Sequence, residues 1–333
     1  MQHVTIIGLG LIGGSIGLGL RRWSSANSDA LRLVGFDEDI EKQRRAKGMG
    51  AVDAVEWSLA NSVSAADVVI VATPVGAMHQ VFENIGPHLK QGAVVTDTGS
   101  TKVDVLEWSK RLPSHVDFVG GHPMAGKSES LEAADAALFS GATWVLCPSV
   151  TAAESSVRTV LGIVAAVEAD AFFVDPVEHD SYVAGISHLP FVVAAALMEA
   201  VAGDTAWRDM KTLSASGLRD TTRLALGNPE MHRDILLSNR ASVSRWIDTL
   251  TTGLQAVKQD LQANDDGAAD RLLEFFSKAQ DDRARLETAS TRSAEQTALN
   301  AGSMSKENVS EQMGRMFLGG LGRRRRESRS SRD

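Results

Sequence analysis

A short β-branched run, Val4-Thr5-Ile6-Ile7, breaks into Gly8-Leu9-Gly10-Leu11-Ile12-Gly13 and continues as small and apolar residues at helical spacing to Arg22. That order of strand, glycine turn and helix suits a dinucleotide pyrophosphate, because the first N–H groups of a helix lack internal partners and point toward an anion. Gly8 makes the tight turn, Gly10 lets the backbone approach the phosphates, and Gly13 lets helix and strand pack closely. A second strand, 31–36, ends in Asp37, which is placed to bind the ribose hydroxyls. Glu38 and Asp39 follow it, so a 2′-phosphate would meet three carboxylates and no nearby arginine. The expected cofactor is therefore NAD rather than NADP. Three further segments carry polar groups: Asp97-Thr98-Gly99-Ser100-Thr101-Lys102 places a hydroxyl and a cation after a strand, and Gly120–Gly126 places the His122 imidazole among glycines and a proline. In the third, Arg219 and Arg223 stand at i, i+4 and share one helix face.

The elements that must position these residues follow a regular pattern. Strands are expected at 4–7, 31–36, 66–72, 92–97, 117–121, 143–147 and 169–175, with helices at 40–48 and 78–89 among the intervening segments. Continuous apolar runs such as 66–72 belong to parallel strands buried on both faces. Strands alternating with helices predict an α/β fold, a doubly wound (Rossmann-type) parallel sheet whose ligands bind beyond the carboxyl ends of the strands. Gly8, Asp37, Thr73, Ser100 and His122 all fall at such ends. Thr73 and Pro74, closing the 66–72 strand, join Gly8, Gly10, Leu11, Ile12, Gly13 and Asp37 as expected cofactor-binding residues.

Past Pro176 the strand pattern stops and helices are expected at 179–202, 205–214, 219–226 and from Pro229 to Leu250 and onward. So few residues in helices cannot easily bury their apolar faces alone, so packing against the first domain and a second subunit is expected, giving a homodimer. From Ala279 the chain turns polar, with a basic run at Arg323–Arg326 read as a solvated end. The domains are thus expected at 1–176 (dinucleotide binding), 177–290 (helical, substrate binding and dimerisation) and 291–333 (a polar, basic tail).

Composition narrows the classes. At 333 residues the chain is long enough for two domains with a sizeable core, and a net charge of −8 argues against a nucleic-acid surface. One cysteine, Cys147, excludes an internal disulfide and fits the reducing cytoplasm. The first strand starts within three residues of Met1, so no signal peptide is expected. Val183–Gly203 has the length and apolarity of a membrane span but contains His188, Pro190 and Glu199 and lacks a positive flank. It is read as a buried helix at a domain or subunit core, not a membrane segment. No Cys or His pair has ligand spacing, so no metal is expected.

Taken together, GLGLIGGS, DTGSTK, GGHPMAG, GISHLPF and GLRDTTR, in this order, resemble the prephenate and arogenate dehydrogenase family of tyrosine biosynthesis across roughly residues 2–255. The resemblance implies a nucleotide-binding domain followed by a helical dimerisation domain, and oxidation of a cyclohexadienol by NAD(P)+ with loss of CO2. It makes His122 the catalytic base for the substrate hydroxyl, with Ser100 hydrogen-bonding that hydroxyl and the imidazole. It makes Arg223 and His188 substrate-binding residues. The main expectation is NAD-dependent prephenate dehydrogenase, with arogenate dehydrogenase as the alternative. A β-hydroxyacid dehydrogenase, a pyrroline-carboxylate-type reductase or an NAD-binding sensor module would share the nucleotide domain. Two departures stand out: Lys127-Ser128-Glu129 follows the GGHPMAG motif where family members often have Thr-Glu, and His232 stands where many have an aromatic residue.

Overall fold

The computed structural model describes residues 2–27, 31–126, 130–263 and 265–300. The chain begins β1 (Gln2–Ile7), α1 (Leu11–Asn27), β2 (Leu31–Phe36), α2 (Ile40–Gly48), β3 (Ala54–Val55), α3 (Leu59–Ser64) and β4 (Val68–Val71). It continues α4 (Met78–Ile85), β5 (Val94–Asp97), α5 (Val103–Ser109), β6 (Asp117–Pro123), β7 (Thr143–Pro148), α6 (Glu154–Ala166) and β8 (Asp170–Phe173). These strands form one sheet in the order β3-β2-β1-β4-β5-β6-β7-β8. The order runs outward in both directions from β1 and β4, which creates the crevice at which open α/β sheets bind ligands.

Register brings the chemistry to one edge. Ile7 pairs with Val71 and Val71 with Asp97, so β1, β4 and β5 end level with one another. The sheet departs from the all-parallel expectation at β7, which runs antiparallel to β6, with Gly121 opposite Leu146 and His122 opposite Val145. Each strand of this part of the sheet is apolar and buried, a pattern that marks burial but carries no direction. β6 also runs two residues further than expected, so His122 lies inside a strand.

The helical segment comprises α7 (Pro176–Val183), a π-helical turn (Ala184–His188), α8 (Leu189–Ala202), α9 (Trp207–Leu213) and α10 (Ser216–Thr222). A 3-10 turn (Arg223–Leu226) leads to α11 (Pro229–Ser238), α12 (Arg240–Gln262) and α13 (Ala268–Asn300). Asp175 caps α7 by accepting from Val177 N at 2.8 Å, and Asn228 caps α11 by accepting from Met231 N at 2.9 Å. Pro190 sits at the start of α8 and has no N–H to donate back along the helix, which accounts for the widened π turn just before it. The run Pro176–Ala202 is long and apolar enough to cross a membrane by length and composition, with 28% of its apolar window buried.

Residues 1–243 form one compact unit. Its core includes Val69, Val71, Phe82, Val95 and Phe118 from the sheet side together with Phe191 of α8 and Ile235 of α11. Phe82 and Phe118 meet edge to face at 5.4 Å. Burial of such side chains stabilises by about 1.5–3 kcal/mol each, so the helices are fastened to the sheet by the same term that holds the sheet. A second unit, 244–333, begins within α12 and contains α13, with Arg271 paired to Asp260 and Asp265. Residues 279–300 continue α13, although their polar composition reads as the start of a tail. The basic run Arg323–Arg326 and the segment Lys127-Ser128-Glu129 lie outside the described residues.

Candidate active site

The β1–α1 joint is built as the glycines require. Gly8 has φ +93°, and a Cβ there would lie 2.6 Å from Ala72 O. A Cβ on Gly13 would lie 1.9 Å from Gly8 O, so strand and helix touch backbone to backbone. Gly10 faces open space, with no atom within 4 Å of where its Cβ would be. Leu11 and Ile12 open α1, whose unpaired N–H groups point at that space. The Asp37 carboxylate accepts from Leu9 N at 2.7 Å and Asp39 N at 2.9 Å, which ties the end of β2 to the glycine turn. Thr73 Oγ1, at the end of β4 beside Pro74, is buried with no hydrogen-bond partner. An open glycine at a helix start, a carboxylate at the second strand end and an orphaned hydroxyl between them fit a dinucleotide.

A second cluster lies at the ends of β5 and β6. His122 Nδ1 is 2.9 Å from His179 Nε2, and His179 Nδ1 is 2.7 Å from Asp180 Oδ1. A carboxylate can only accept, so His179 donates from Nδ1; with that ring neutral its Nε2 accepts, which makes His122 the donor at Nδ1. The His122 Nε2 lone pair is left free to take a proton. Asp180 also accepts from the backbone N of Lys102 at 2.7 Å and of Val103 at 2.9 Å, anchoring α7 to the loop that carries Ser100. Burial holds the His122 imidazole well below its usual pKa, and the neighbouring His179, Lys102 and His188 add to the effect. The ring is therefore neutral, as a base must be.

Burial likewise lowers His188 to about 4, against an opposing pull from Asp180 and the Ser100 backbone. Its Nδ1 lies 3.3 Å from Asn239 Nδ2, and its Nε2 is buried without a hydrogen-bond partner. Asn239 Nδ2 also donates to Asp180 O at 2.7 Å. Asn239 sits in the break between α11 and α12, where a single helix is expected over 229–250. Thr101 Oγ1 donates to Ser238 Oγ at 3.0 Å, so the end of α11 braces the Ser100 loop as well.

The predicted residues thus fall into three places. Gly8, Gly10, Leu11, Ile12, Gly13, Asp37, Thr73 and Pro74 line the first cluster. Ser100, His122 and His188 belong to the second, where the Nδ1 of His122 is occupied by His179 and not by Ser100. Arg223 is exposed at the head of its 3-10 turn, which packs against α8. No ion pair or hydrogen bond joins Arg223 to the histidine cluster among the described residues, and neither Asp220 nor Glu230 pairs with Arg219. His232 stacks on Phe191 at 4.1 Å with rings 2° from parallel, and burial lowers its pKa. Sequence reasoning missed His179, Asp180 and Asn239. Adjacent titratable residues just inside a Pro-started helix, and an asparagine within an otherwise helical run, were the available signals.

The sequence matches the family model for the prephenate dehydrogenase nucleotide-binding domain over residues 16–172 and that for the prephenate dehydrogenase dimerization domain over residues 175–278. It is 33% identical over 287 residues to the prephenate dehydrogenase of Bacillus subtilis, covering 85% of this chain and 76% of that one. It is 30% identical over 291 residues to the cyclohexadienyl dehydrogenase of Zymomonas mobilis, covering 86% of this chain and 97% of that one. The fold superposes on the crystal structure of prephenate dehydrogenase from A. aeolicus in complex with hydroxyphenyl propionate and NAD+ with a TM-score of 0.78 and 27% identity, covering 86% of this chain and 98% of that one.

Proposed function

This chain belongs to the prephenate dehydrogenase family, and from that premise we propose that it oxidises prephenate with NAD+, releasing CO2 and 4-hydroxyphenylpyruvate. The observation that carries the reading is the His122–His179–Asp180 chain, which leaves one neutral imidazole nitrogen free at the end of β6. Bound NAD+ would accept a hydride from the carbinol carbon. His122 Nε2 takes the hydroxyl proton, and the charge that develops on the ring is shared through His179 with the Asp180 carboxylate. Ser100 hydrogen-bonds the same hydroxyl and holds it toward the imidazole. Arg223, with no carboxylate partner among the described residues, grips a substrate carboxylate through its planar fork. His188 lines the substrate side of Ser100. Loss of the ring carboxylate is driven by aromatisation and helped by the desolvated surroundings.

The cofactor is held by Gly8, Gly10, Leu11, Ile12, Gly13, Thr73 and Pro74, with Asp37 on the ribose. The domain assignment follows the same logic: 1–176 binds the dinucleotide, 177–290 binds substrate and pairs with a second copy, and 291–333 is an appended basic tail. The apolar run Pro176–Ala202 supplies His179, Asp180 and His188, all buried in the site, and for that reason we read it as an interior helix of a cytoplasmic homodimer. The surface of net charge −8 serves a small-molecule enzyme and not nucleic acid.

The test is reduced-nicotinamide formation with prephenate and arogenate against NAD+ and NADP+, in the wild type and in His122→Asn. Turnover is expected with prephenate and NAD+, and the substitution is expected to lower it by about 10²–10⁴-fold while leaving NADH affinity in place. Turnover with arogenate alone would keep the mechanism and move the substrate. Undiminished turnover in His122→Asn would overturn the assignment of the base.

A further inference from the structure

The proposed mechanism leaves one buried charged pair without a role. Asp97, the last residue of β5, and Lys102, five positions on, form an ion pair with both side chains 0% exposed. Desolvating two charges costs several kcal/mol per ion, and a buried pair seldom repays much more than that in net stability. The fold alone does not account for it.

Its contacts do. Asp97 Oδ2 receives the Lys102 ammonium and also accepts from Gly99 N at 2.7 Å, one residue before Ser100. Asp97 Oδ1 accepts from Gly121 N at 3.0 Å, one residue before His122. A single carboxylate thus grips the backbone on both sides of the reacting position. Glycines make room for it: a Cβ on Gly99 would lie 2.9 Å from Asp97 Oδ2, and one on Gly120 would lie 3.3 Å from the Lys102 stem. The backbone of Lys102 is in turn held by Asp180, the residue that orients His179. A Cβ on Gly121 would lie 2.6 Å from Asp97 O, so the two glycines before the histidine leave room for the end of β5 and, at Gly120, for the lysine stem as well.

We propose that the buried Asp97–Lys102 pair is the positioning device of this site, fixing the Ser100 and His122 backbones relative to one another and keeping the ion-paired ammonium beneath the strand that carries His122. The inference rests on the reading of His122 as the base. The groups whose charge acts on that ring are His179 of α7, which contacts it, His188 of the π turn and Lys102 of the β5 loop. Asp180 and Asp97 stand behind His179 and Lys102, and the buried Cys147 thiol of β7, pushed up to about 12, stays neutral. Lys102, in its ion pair with Asp97, is the cation among them. Its charge disfavours protonation of His122 in the free enzyme, so the base stays ready at lower pH.

The experiment compares Lys102→Met, Asp97→Asn/Lys102→Met and Lys102→Arg with the wild type, reading folding by circular dichroism, NADH affinity, and the pH profile of kcat/KM for prephenate. The double variant leaves no unpaired buried charge and keeps the test open should the single variant fail to fold. In the folded variants lacking the cation, kcat is expected to fall by about 10²-fold, the cost of a misplaced group, with KM and NADH affinity little changed. The acid limb is expected to move to higher pH, toward the ordinary imidazole range. Lys102→Arg is expected to keep the limb where the wild type has it. A purely structural role would lower the amplitude and leave the limb in place, so an unmoved limb, or wild-type kcat, in a folded variant overturns the proposal. The His122→Asn control separates the failures: turnover surviving there sinks the base assignment itself.

Discussion

His188 and His122 are buried imidazoles held neutral by that burial, and that state ties native stability to pH. In the unfolded chain each titrates near 6.5, whereas in the folded chain His188 titrates at about 4 and His122 well below the usual value. Above pH 6.5 both forms are neutral and no stability depends on pH through them. As pH falls below 6.5 the unfolded chain binds protons that the native chain refuses, so native stability is lost progressively toward the folded values. For His188 alone the loss reaches about 3 kcal/mol near pH 4, taken as an upper figure. Urea unfolding of the wild type and His188→Gln between pH 7 and 4.5 checks this: the variant is expected to show the shallower decline. Parallel declines would show that the His188 ring is not what the acid attacks.

The β1–α1 joint is the element on which the nucleotide half depends, because Gly13 leaves backbone in contact with backbone. Gly13→Ala sets a methyl 1.9 Å from Gly8 O, and the forced separation of α1 from β1 is expected to cost about 3 kcal/mol and to abolish NADH binding at micromolar concentration. Titration of the variant with NADH, beside its urea midpoint, reads both effects. This joint was legible from the chain alone, since strand, glycines, helix and the acid ending β2 each follow from a local rule. β7 was legible as a strand, yet its antiparallel direction was not, because a buried apolar strand carries no polarity and its pairing with β6 is decided by the connection between them. The two-residue β3 is too short to leave a period. Asn239 divides a helix expected to be continuous because its amide is drawn to Asp180 O and His188, a tertiary bond invisible to helical periodicity. For the same reason the His122–His179–Asp180 chain escaped: its members lie 57 residues apart and meet only when α7 docks on the β5 loop. Residues 279–300 are polar enough to resemble a tail, and over 279–288 their helix rests on propensity and charge pairs such as Arg283 with Glu287.

The surface of the whole chain bears on what the helical segment is for. Among its exposed large side chains are Tyr182 and Ile186 on α7 and the π turn, the latter 71% exposed, together with Leu213 at 85% and Leu226 at 83%. The α8 run adds only Phe191 and Ala194 to the interior, although its sequence is almost wholly apolar. A chain of 35.5 kDa that folds its sheet this thoroughly has no reason to leave so much apolar area on one series of helices in water, where each Å² left uncovered forgoes about 25 cal/mol. A second copy would cover such a face by two-fold symmetry, each residue finding the partner surface that its own neighbours provide. Sedimentation equilibrium at micromolar concentration is expected to return twice the 35.5 kDa chain mass. Placing a carboxylate in the face, as in Ile186→Asp combined with Leu213→Asp, is expected to shift the mass toward the single chain, because each charge must be desolvated against apolar surface to pair. A wild type that sediments as a single chain at that concentration would leave the apolar helices without their partner and refute the homodimer.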